Sequence, residues 1–298
     1  MRIKILSFIY SRKNNRFLLL KNNGEDPIHG GEKWFTVTGS VEKEDKSLED
    51  AVARKMLEEI DIAPIKIINL NTKSEYYSNY DKEQCEEHNF LSIINSDKVI
   101  LDGIEHIDFL WCDIDEYIEK LWWDDNKESL KKKLETEINN LNITKENIDI
   151  QYLPYGSYVE VYILNENKEF IVVFSALKDH FCKVLGGGLE KDETFEKAAI
   201  REAKEEVNAD IEIIGISKYP LEYEISKESL FNNYFKSRGG KGKIVIAKLL
   251  SSPENIKIQE EEISGYKWIK KEETEKCLTL QNQIESARKI FEEFKELF

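Results

Sequence analysis

The sequence has few cysteines and no long apolar run, and each shortage argues against a class of protein. The four cysteines, Cys85, Cys112, Cys182 and Cys277, show no CxxC spacing, which argues against a zinc site and against a disulfide-stabilised secreted domain. No apolar stretch approaches the roughly 18 residues of a membrane span. The N-terminal stretch is interrupted by the charged run SRKNNR, which predicts a strand, a turn and a strand rather than a signal peptide. We therefore expect reduced thiols, no membrane segment and a cytoplasmic location.

Positive charge is also in short supply. The chain has 43 lysines and arginines and 58 aspartates and glutamates, so the net charge is −15. Such an excess argues against nonspecific binding of nucleic acid or of an anionic membrane by the whole surface, although a local basic groove stays compatible with it. A length of 298 residues predicts about two domains, and a hydrophobic content of 41% supports ordinary packed cores.

The most informative stretch runs from Gly187 to Ala209, where a glycine-rich turn precedes an amphipathic helix. On that helix Glu202, Glu205 and Glu206 share one face, because residues three and four apart are neighbours. Three crowded carboxylates repel each other unless a cation lies between them, and Mg²⁺ or Mn²⁺ prefers oxygen ligands. These three glutamates are therefore the predicted metal ligands.

The spacing of this stretch is G-x5-E-x7-R-E-U-x-E-E-x-G-U, with U an aliphatic residue, and it resembles the Nudix box. One position departs from the box, since Asn208 stands where a glycine is usual; asparagine is the next-best residue for a left-handed helix end. The matching residues are Gly187, Glu193, Arg201, Glu202, Ala203, Glu205, Glu206 and Ala209. The resemblance implies a Mg²⁺-dependent hydrolase of phosphoanhydride bonds, built as an α/β/α sandwich with a mixed sheet.

The remaining site residues have distinct expected roles. Arg201 is expected to hold Glu205 or a loop carbonyl in place, and Glu193 to orient the turn. Glycine at 187 and 188 lets the backbone approach phosphates closely. A carboxylate outside the helix is needed as a base on the attacking water, and Glu262 is the predicted base, with Glu260 and Glu261 as alternatives.

The chain repeats one order of predicted elements, namely two strands, a glycine turn, a helix, further strands and terminal helices. This repeat predicts two tandem α/β domains, residues 1–145 and 150–298. The first half carries the same helix in altered form. Gly39, Arg54, Glu58 and Glu59 correspond to Gly187, Arg201, Glu205 and Glu206, whereas Lys55 stands where Glu202 stands.

An ammonium at position 55 repels a divalent cation at the would-be metal position, so metal affinity there should fall steeply. We therefore predict that the first domain is a degenerate copy, kept for packing, for homodimer formation or for substrate binding. Its sequence resembles the Nudix subgroup that hydrolyses dihydroneopterin triphosphate, in Trp34–Glu42, His88–Phe90, Glu105–His106 and Trp111. That resemblance places the subgroup's downstream glutamate at Glu105.

The second domain resembles the bacterial RNA pyrophosphohydrolases and the related dinucleoside polyphosphate hydrolases. The resemblance lies in a G-x-K-x-K run and an E-x-x-G-W-x-W run, matched by Gly239 or Gly240, Lys241, Lys243, Glu262, Gly265, Tyr266 and Trp268. The glycine-rich start LGGGLEKDE departs from the P-x-G-G of that group. Lys241 and Lys243, with Lys236 and Arg238, form a four-cation run suited to a polyphosphate.

These patterns favour a nucleotide or nucleoside-polyphosphate substrate, either a dinucleoside polyphosphate or the 5′-triphosphate end of RNA. Hydrolysis of ADP-ribose or of a nucleotide sugar is the alternative activity. A catalytically inactive nucleotide-binding sensor is the alternative from another class of protein.

Overall fold

The structure, a computed structural model, describes residues 1–24, 31–79, 82–101, 103–123, 126–177, 179–232 and 236–298. The chain folds as two compact units. The first unit comprises Met1–Pro154 and Ile225–Arg238, and the second comprises Tyr155–Glu224 and Gly239–Phe298. The division predicted from the sequence, residues 1–145 and 150–298, instead places the segment 225–238 in the second domain.

The described part of the first unit contains a seven-stranded mixed sheet in which β1 and β6 run parallel. Its strands are β1 (Arg2–Ser11), β2 (Arg16–Asn22), β3 (Trp34–Phe35), β4 (Val37–Ser40), β5 (Lys66–Ser78), β6 (Glu83–Ile94) and β7 (His106–Cys112). Its helices include α1 (Leu48–Ile60), α2 (Ile114–Lys120) and α3 (Lys127–Asn139). A cluster of buried side chains on one side of the sheet receives α1, and a second cluster receives α2 and α3.

The second unit repeats this plan with eight described strands, and here β8 and β14 are the parallel pair. Its strands are β8 (Tyr155–Leu164), β9 (Phe170–Ser175), β10 (Cys182–Lys183), β11 (Leu185–Gly188), β12 (Ile211–Ile216), β13 (Leu221–Glu224), β14 (Gly239–Leu249) and β15 (Ile263–Ile269). Its helices include α4 (Phe195–Val207), α6 (Thr274–Cys277) and α7 (Gln281–Glu293). Short 3₁₀ turns occur at Ile150–Tyr152 of the first unit and at Pro253–Asn255 and Lys271–Glu273 of the second.

Alternation along β8 shows why the second unit is a sandwich. Val159, Val161 and Ile163 are buried with α4, whereas Tyr162 and Leu164 are buried with α7 on the opposite face. Successive side chains of a strand point to opposite faces, so a strand that is apolar on both faces must be covered twice. Both units therefore confirm the predicted α/β/α architecture with mixed sheets.

Equivalent caps fix the ends of the two related helices. Ser47 accepts a hydrogen bond from the Asp50 N–H before α1, and Thr194 caps α4 in the same way. At the other end Asp61 and Asn208 have left-handed φ angles of 57° and 52°. The left-handed role predicted for Asn208 is thus confirmed, and the box tolerates it in place of glycine.

The segment 225–238 leaves the second unit between β13 and β14 and completes the core of the first. It contains α5 (Lys227–Asn232), whose Leu230 is 2% exposed within the cluster that also receives α2 and α3. The Arg12 guanidinium lies 4.4 Å from the centre of the Phe231 ring, and Asn95 Nδ2 donates to the Phe231 carbonyl at 3.1 Å. Both polar and apolar contacts therefore tie this segment to the first unit.

Among the described residues, none of the helices combines the length and apolarity needed to cross a membrane.

Leu230→Ala should lower the free energy of unfolding by about 2–4 kcal/mol, because the truncation leaves a cavity in a packed core. Equilibrium unfolding in urea measures this loss. Leu177→Ala is the matched control, since Leu177 is 83% exposed and its loss should cost less than about 0.5 kcal/mol. Equal unfolding midpoints for the two variants would show that α5 does not complete this core.

Candidate functional site

The site of the second unit begins with a close approach between β11 and α4. A Cβ atom at Gly187 would lie 2.0 Å from Glu202 Oε1, so a side chain at position 187 would displace that carboxylate. Gly186 has a φ of +148°, and a Cβ there would lie 2.1 Å from the Val159 carbonyl. Gly187 is thus needed where β11 meets the carboxylates of α4, and Gly186 where β11 pairs with β8.

Arg201 is the organising residue of α4. Its Nη1 donates to Glu202 Oε1 at 2.8 Å and to Glu205 Oε2 at 3.0 Å, and its Nη2 donates to the Gly188 carbonyl at 2.8 Å. Nε and Nη2 form a two-point contact with Glu193 at 3.0 and 2.9 Å, and this contact holds the pKa of Glu193 below its usual range. One guanidinium therefore joins the turn, the strand and two helix carboxylates.

Glu206 lies apart from this network. Its side chain is 4% exposed, Oε1 accepts a hydrogen bond from Lys183 Nζ at 2.7 Å, and Oε2 accepts one from the Gly186 N–H at 3.2 Å. Burial raises the pKa of Glu206, an effect that Lys183 opposes and that the charge of Glu262 increases. Burial likewise raises the pKa of Glu202. Two of the three helix carboxylates are therefore largely removed from water and depend on positive partners.

Glu262 lies in a turn that is attached to the end of α4. The Gln259 N–H donates to the Glu206 carbonyl at 3.1 Å, and the Glu262 N–H donates to the Gln259 carbonyl at 3.1 Å. The Glu262 side chain is exposed. Backbone hydrogen bonds thus bring the predicted base next to Glu206.

The first unit shows which residue corresponds to Glu262. There Asn22, the last residue of β2, pairs with His106 of β7. Immediately after it, the Asn23 N–H donates to the Glu105 carbonyl at 2.9 Å. Glu105 therefore lies one residue before the strand that pairs with β2.

The second unit repeats this arrangement. Ser175, the last residue of β9, pairs with Ile263 of β15, and the Ala176 N–H donates to the Glu262 carbonyl at 2.8 Å. Strand register thus makes Glu262 the counterpart of Glu105.

In the first unit Lys55 contacts the equivalent carboxylates directly. Its Nζ lies 3.3 Å from Glu58 Oε2, 3.3 Å from Glu59 Oε1 and 3.5 Å from Glu105 Oε1. Burial opposes the charged amine, but the three carboxylates outweigh that effect and the pKa of Lys55 is raised. Glu59, 1% exposed, also contacts His106 Nε2 at 2.9 Å. One ammonium ion therefore contacts all three carboxylates of the first unit, whereas the ammonium of Lys183 in the second unit contacts Glu206.

The residues of the second unit fit a divalent cation by their chemistry. Glu202 and Glu206 are buried oxygen donors, and arginine and lysine now supply the positive charge that two such carboxylates require. The three carboxylates of α4 do not converge on one point, however, because Arg201 contacts Glu202 and Glu205 while Lys183 contacts Glu206. Within the described residues, three metal-ligand side chains come within 4.8 Å of one another only at Glu59, Glu105 and His106.

The predicted four-cation run is divided between the two units. Lys236 and Arg238 belong to the segment of the first unit, where Lys236 pairs with Asp61. Lys241 and Lys243 lie on β14. Lys241 Nζ lies 2.9 Å from Glu222 Oε1 and 4.2 Å from the centre of the Tyr155 ring. The chain thus passes from one unit to the other within this run, at Gly239, and a phosphate-binding role of the run stays a prediction.

Sequence reasoning missed Lys183 and Glu160. Glu160 is 1% exposed on β8, Gln283 Nε2 donates to its Oε1 at 3.1 Å, and burial raises its pKa to about 7. A lone glutamate in the apolar run YVEVYIL was the available signal, because a charged side chain is rarely buried without a partner. Lys183 gave no signal beyond its place before the glycines.

Comparison with known proteins agrees with this description. Residues 2–133 and 154–294 each match the model of the NUDIX domain family. The RNA pyrophosphohydrolase of Orientia tsutsugamushi (strain Boryong) is 31% identical over 148 residues, which cover 47% of this chain and 86% of that protein. The C. elegans Ap4A hydrolase binary complex is 22% identical, with 48% of this chain and 99% of that chain covered and a TM-score of 0.39. The E. coli dihydroneopterin triphosphate pyrophosphohydrolase is 21% identical, with 47% and 96% covered and a TM-score of 0.36.

Lys55→Glu should create a divalent-cation site in the first unit, because it replaces the ammonium by the carboxylate that the second unit has there. Calorimetric titration with Mn²⁺ should be carried out in a Glu206→Gln background, so that the heat reports on the first unit. Lys55→Met is the control, since it removes the charge without adding a ligand and should bind Mn²⁺ more weakly. No gain by Lys55→Glu over its parent would contradict this account of the first unit.

Proposed function

This chain belongs to the NUDIX family, and from that membership we propose that its second unit is a Mg²⁺- or Mn²⁺-dependent pyrophosphohydrolase. Its favoured substrate is a dinucleoside polyphosphate or the 5′-triphosphate end of RNA. The first unit is proposed to be catalytically silent. The proposed location is the cytoplasm, which is supported by four free cysteines. Formation of a homodimer stays a prediction from the sequence.

The contrast between Glu202 and Lys55 carries this proposal. Both side chains lie against a strand glycine, because a Cβ at Gly187 would meet Glu202 and a Cβ at Gly39 would meet Lys55. The second unit thus has a carboxylate at the position that the first unit fills with an ammonium. A family member needs that carboxylate to bind a cation beside a polyanionic substrate, which supports assigning the chemistry to the second unit.

Each residue has a definite part in the proposed reaction. Glu202, Glu205 and Glu206 would hold the divalent cation, which would supply positive charge to neutralise phosphate and to acidify the attacking water. Arg201 and Glu193 keep α4 and the glycine turn in register. Glu262 accepts the proton of the attacking water, a role supported by its attachment to the end of α4 and by its correspondence to Glu105.

The preference for a nucleoside polyphosphate rests on two observations. The relative at 31% identity is an RNA pyrophosphohydrolase, and 86% of its length is covered. In addition, Lys241 Nζ lies 4.2 Å from the centre of the Tyr155 ring, so a cation for phosphate and an aromatic ring for a base lie close together in the second unit. Gly187 and Gly188 leave space for phosphate to approach the backbone.

A substrate panel tests the proposal. The full chain is incubated with Mg²⁺ and with dinucleoside polyphosphates, triphosphate RNA, dNTPs, ADP-ribose or nucleotide sugars, and the release of phosphate and pyrophosphate is measured. Highest kcat/KM on the first two classes is expected. Preference for ADP-ribose or a nucleotide sugar would replace the proposed substrate, and tight binding without release from any compound would establish a sensor.

Glu205→Gln or Glu206→Gln should lower kcat by orders of magnitude, because each removes a negative ligand of the cation. Glu58→Gln is the matched change in the first unit and should leave turnover on the best substrate nearly unchanged. Steady-state kinetics of the three variants make the comparison. Equal losses would mean that the first unit takes part in hydrolysis.

A further inference from the structure

We propose that Lys183 is a positioning residue of the cation site, whose ammonium takes the place of the divalent cation at Glu206 until that cation binds. The inference rests on the proposed function of the second unit. Lys183 then competes with the divalent cation for Glu206. Its ammonium balances the charge of that carboxylate while no divalent cation is bound.

In the geometry around Glu206, the backbone holds one carboxylate oxygen and Lys183 holds the other. The Gly186 N–H already donates to Oε2 at 3.2 Å, and Lys183 Nζ lies 2.7 Å from Oε1. The two side chains are 4% and 22% exposed, so this pair is shielded from water, unlike an ordinary surface salt bridge. A positive partner therefore stabilises the charged form of this buried carboxylate.

An ammonium and a divalent cation that both lie against Glu206 Oε1 repel each other. At such a separation their repulsion is large in a shielded environment, because the effective dielectric constant is far below that of water. Lys183 must therefore leave Glu206 when the divalent cation arrives. Its long flexible stem and its partial exposure to solvent permit that movement.

The first unit has an ammonium that permanently takes the place of a divalent cation. Lys183 is the last residue of the two-residue strand β10. Its counterpart in the first unit is Phe35, the last residue of the two-residue strand β3. The buried Glu59 instead receives Lys55, which also contacts Glu58 and Glu105. Three carboxylates hold that ammonium, whereas Lys183 has one ion-pair contact among the described residues. The single contact makes Lys183 exchangeable.

Calorimetric titration of the full chain with Mn²⁺, without substrate, tests this role. Lys183→Met should tighten Mn²⁺ binding on the order of tenfold, a typical size for coupling between two ligands of one site. Lys204→Met is the matched control, because Lys204 lies on α4 and pairs with Asp210 at 2.8 Å instead of with a site carboxylate. It removes the same charge and should change the affinity less than about twofold.

A merely structural role for Lys183 predicts the opposite sign, since damage to the site weakens Mn²⁺ binding. Equal or weaker affinity in Lys183→Met than in Lys204→Met would overturn the proposal. If the wild-type chain bound no Mn²⁺ and showed no turnover, the proposed function and this inference would both fail. If the wild-type chain binds Mn²⁺ and hydrolyses substrate but Lys183→Met is not tighter, only this inference fails.

A second measurement needs no variant, which matters if Lys183→Met does not fold. Lysines of the wild-type protein are acetylated with an activated ester, with and without Mn²⁺, and each site is quantified by mass spectrometry. Acetylation of Lys183 should rise with Mn²⁺ while that of Lys204 stays constant. Unchanged or reduced acetylation of Lys183 would show that its ammonium does not leave Glu206.

Discussion

A glutamate buried at the end of a helix, against a glycine-bearing strand, is the constraint on which both units depend. Glu59 and Glu206 are 1% and 3% exposed, and a carboxylate that is removed from water needs a positive partner. Each unit meets this need with a lysine, but from a different element. In the first unit the lysine comes from the same helix, and in the second it comes from the strand before the glycines.

Because the two lysines come from different elements, the ammonium is fixed at the site of the first unit and exchangeable at the site of the second. Lys55 lies one turn before Glu59 on α1, so helix geometry alone keeps the two in contact. Lys183 is 23 positions away from Glu206 along the chain and reaches it across the fold. The Lys183 contact can therefore be exchanged without disturbing the helix, whereas the Lys55 contact is part of the helix. In the proposed function, the exchange of Glu202 for Lys55 is the difference that assigns the cation to the second unit.

Sequence reasoning succeeded where interactions are local and failed where they are not. The box helix, its left-handed end at Asn208 and the contacts of Arg201 follow from spacings of one to thirteen residues. The contact of Glu160 with Gln283 joins residues 123 positions apart, and no periodicity in a single sequence encodes such a partner. The same holds for α5, a six-residue helix whose burial depends on a core formed by the other half of the chain.

The segment 225–238 also sets an order on folding during synthesis. The core of the first unit includes Leu230, so this unit is not complete when its own first 154 residues have left the ribosome. It waits for β8 to β13 of the second unit to be made, and the second unit in turn waits for β14 and β15. Neither unit can therefore finish folding as an uninterrupted stretch of chain, and no single cut in the backbone would release either one whole.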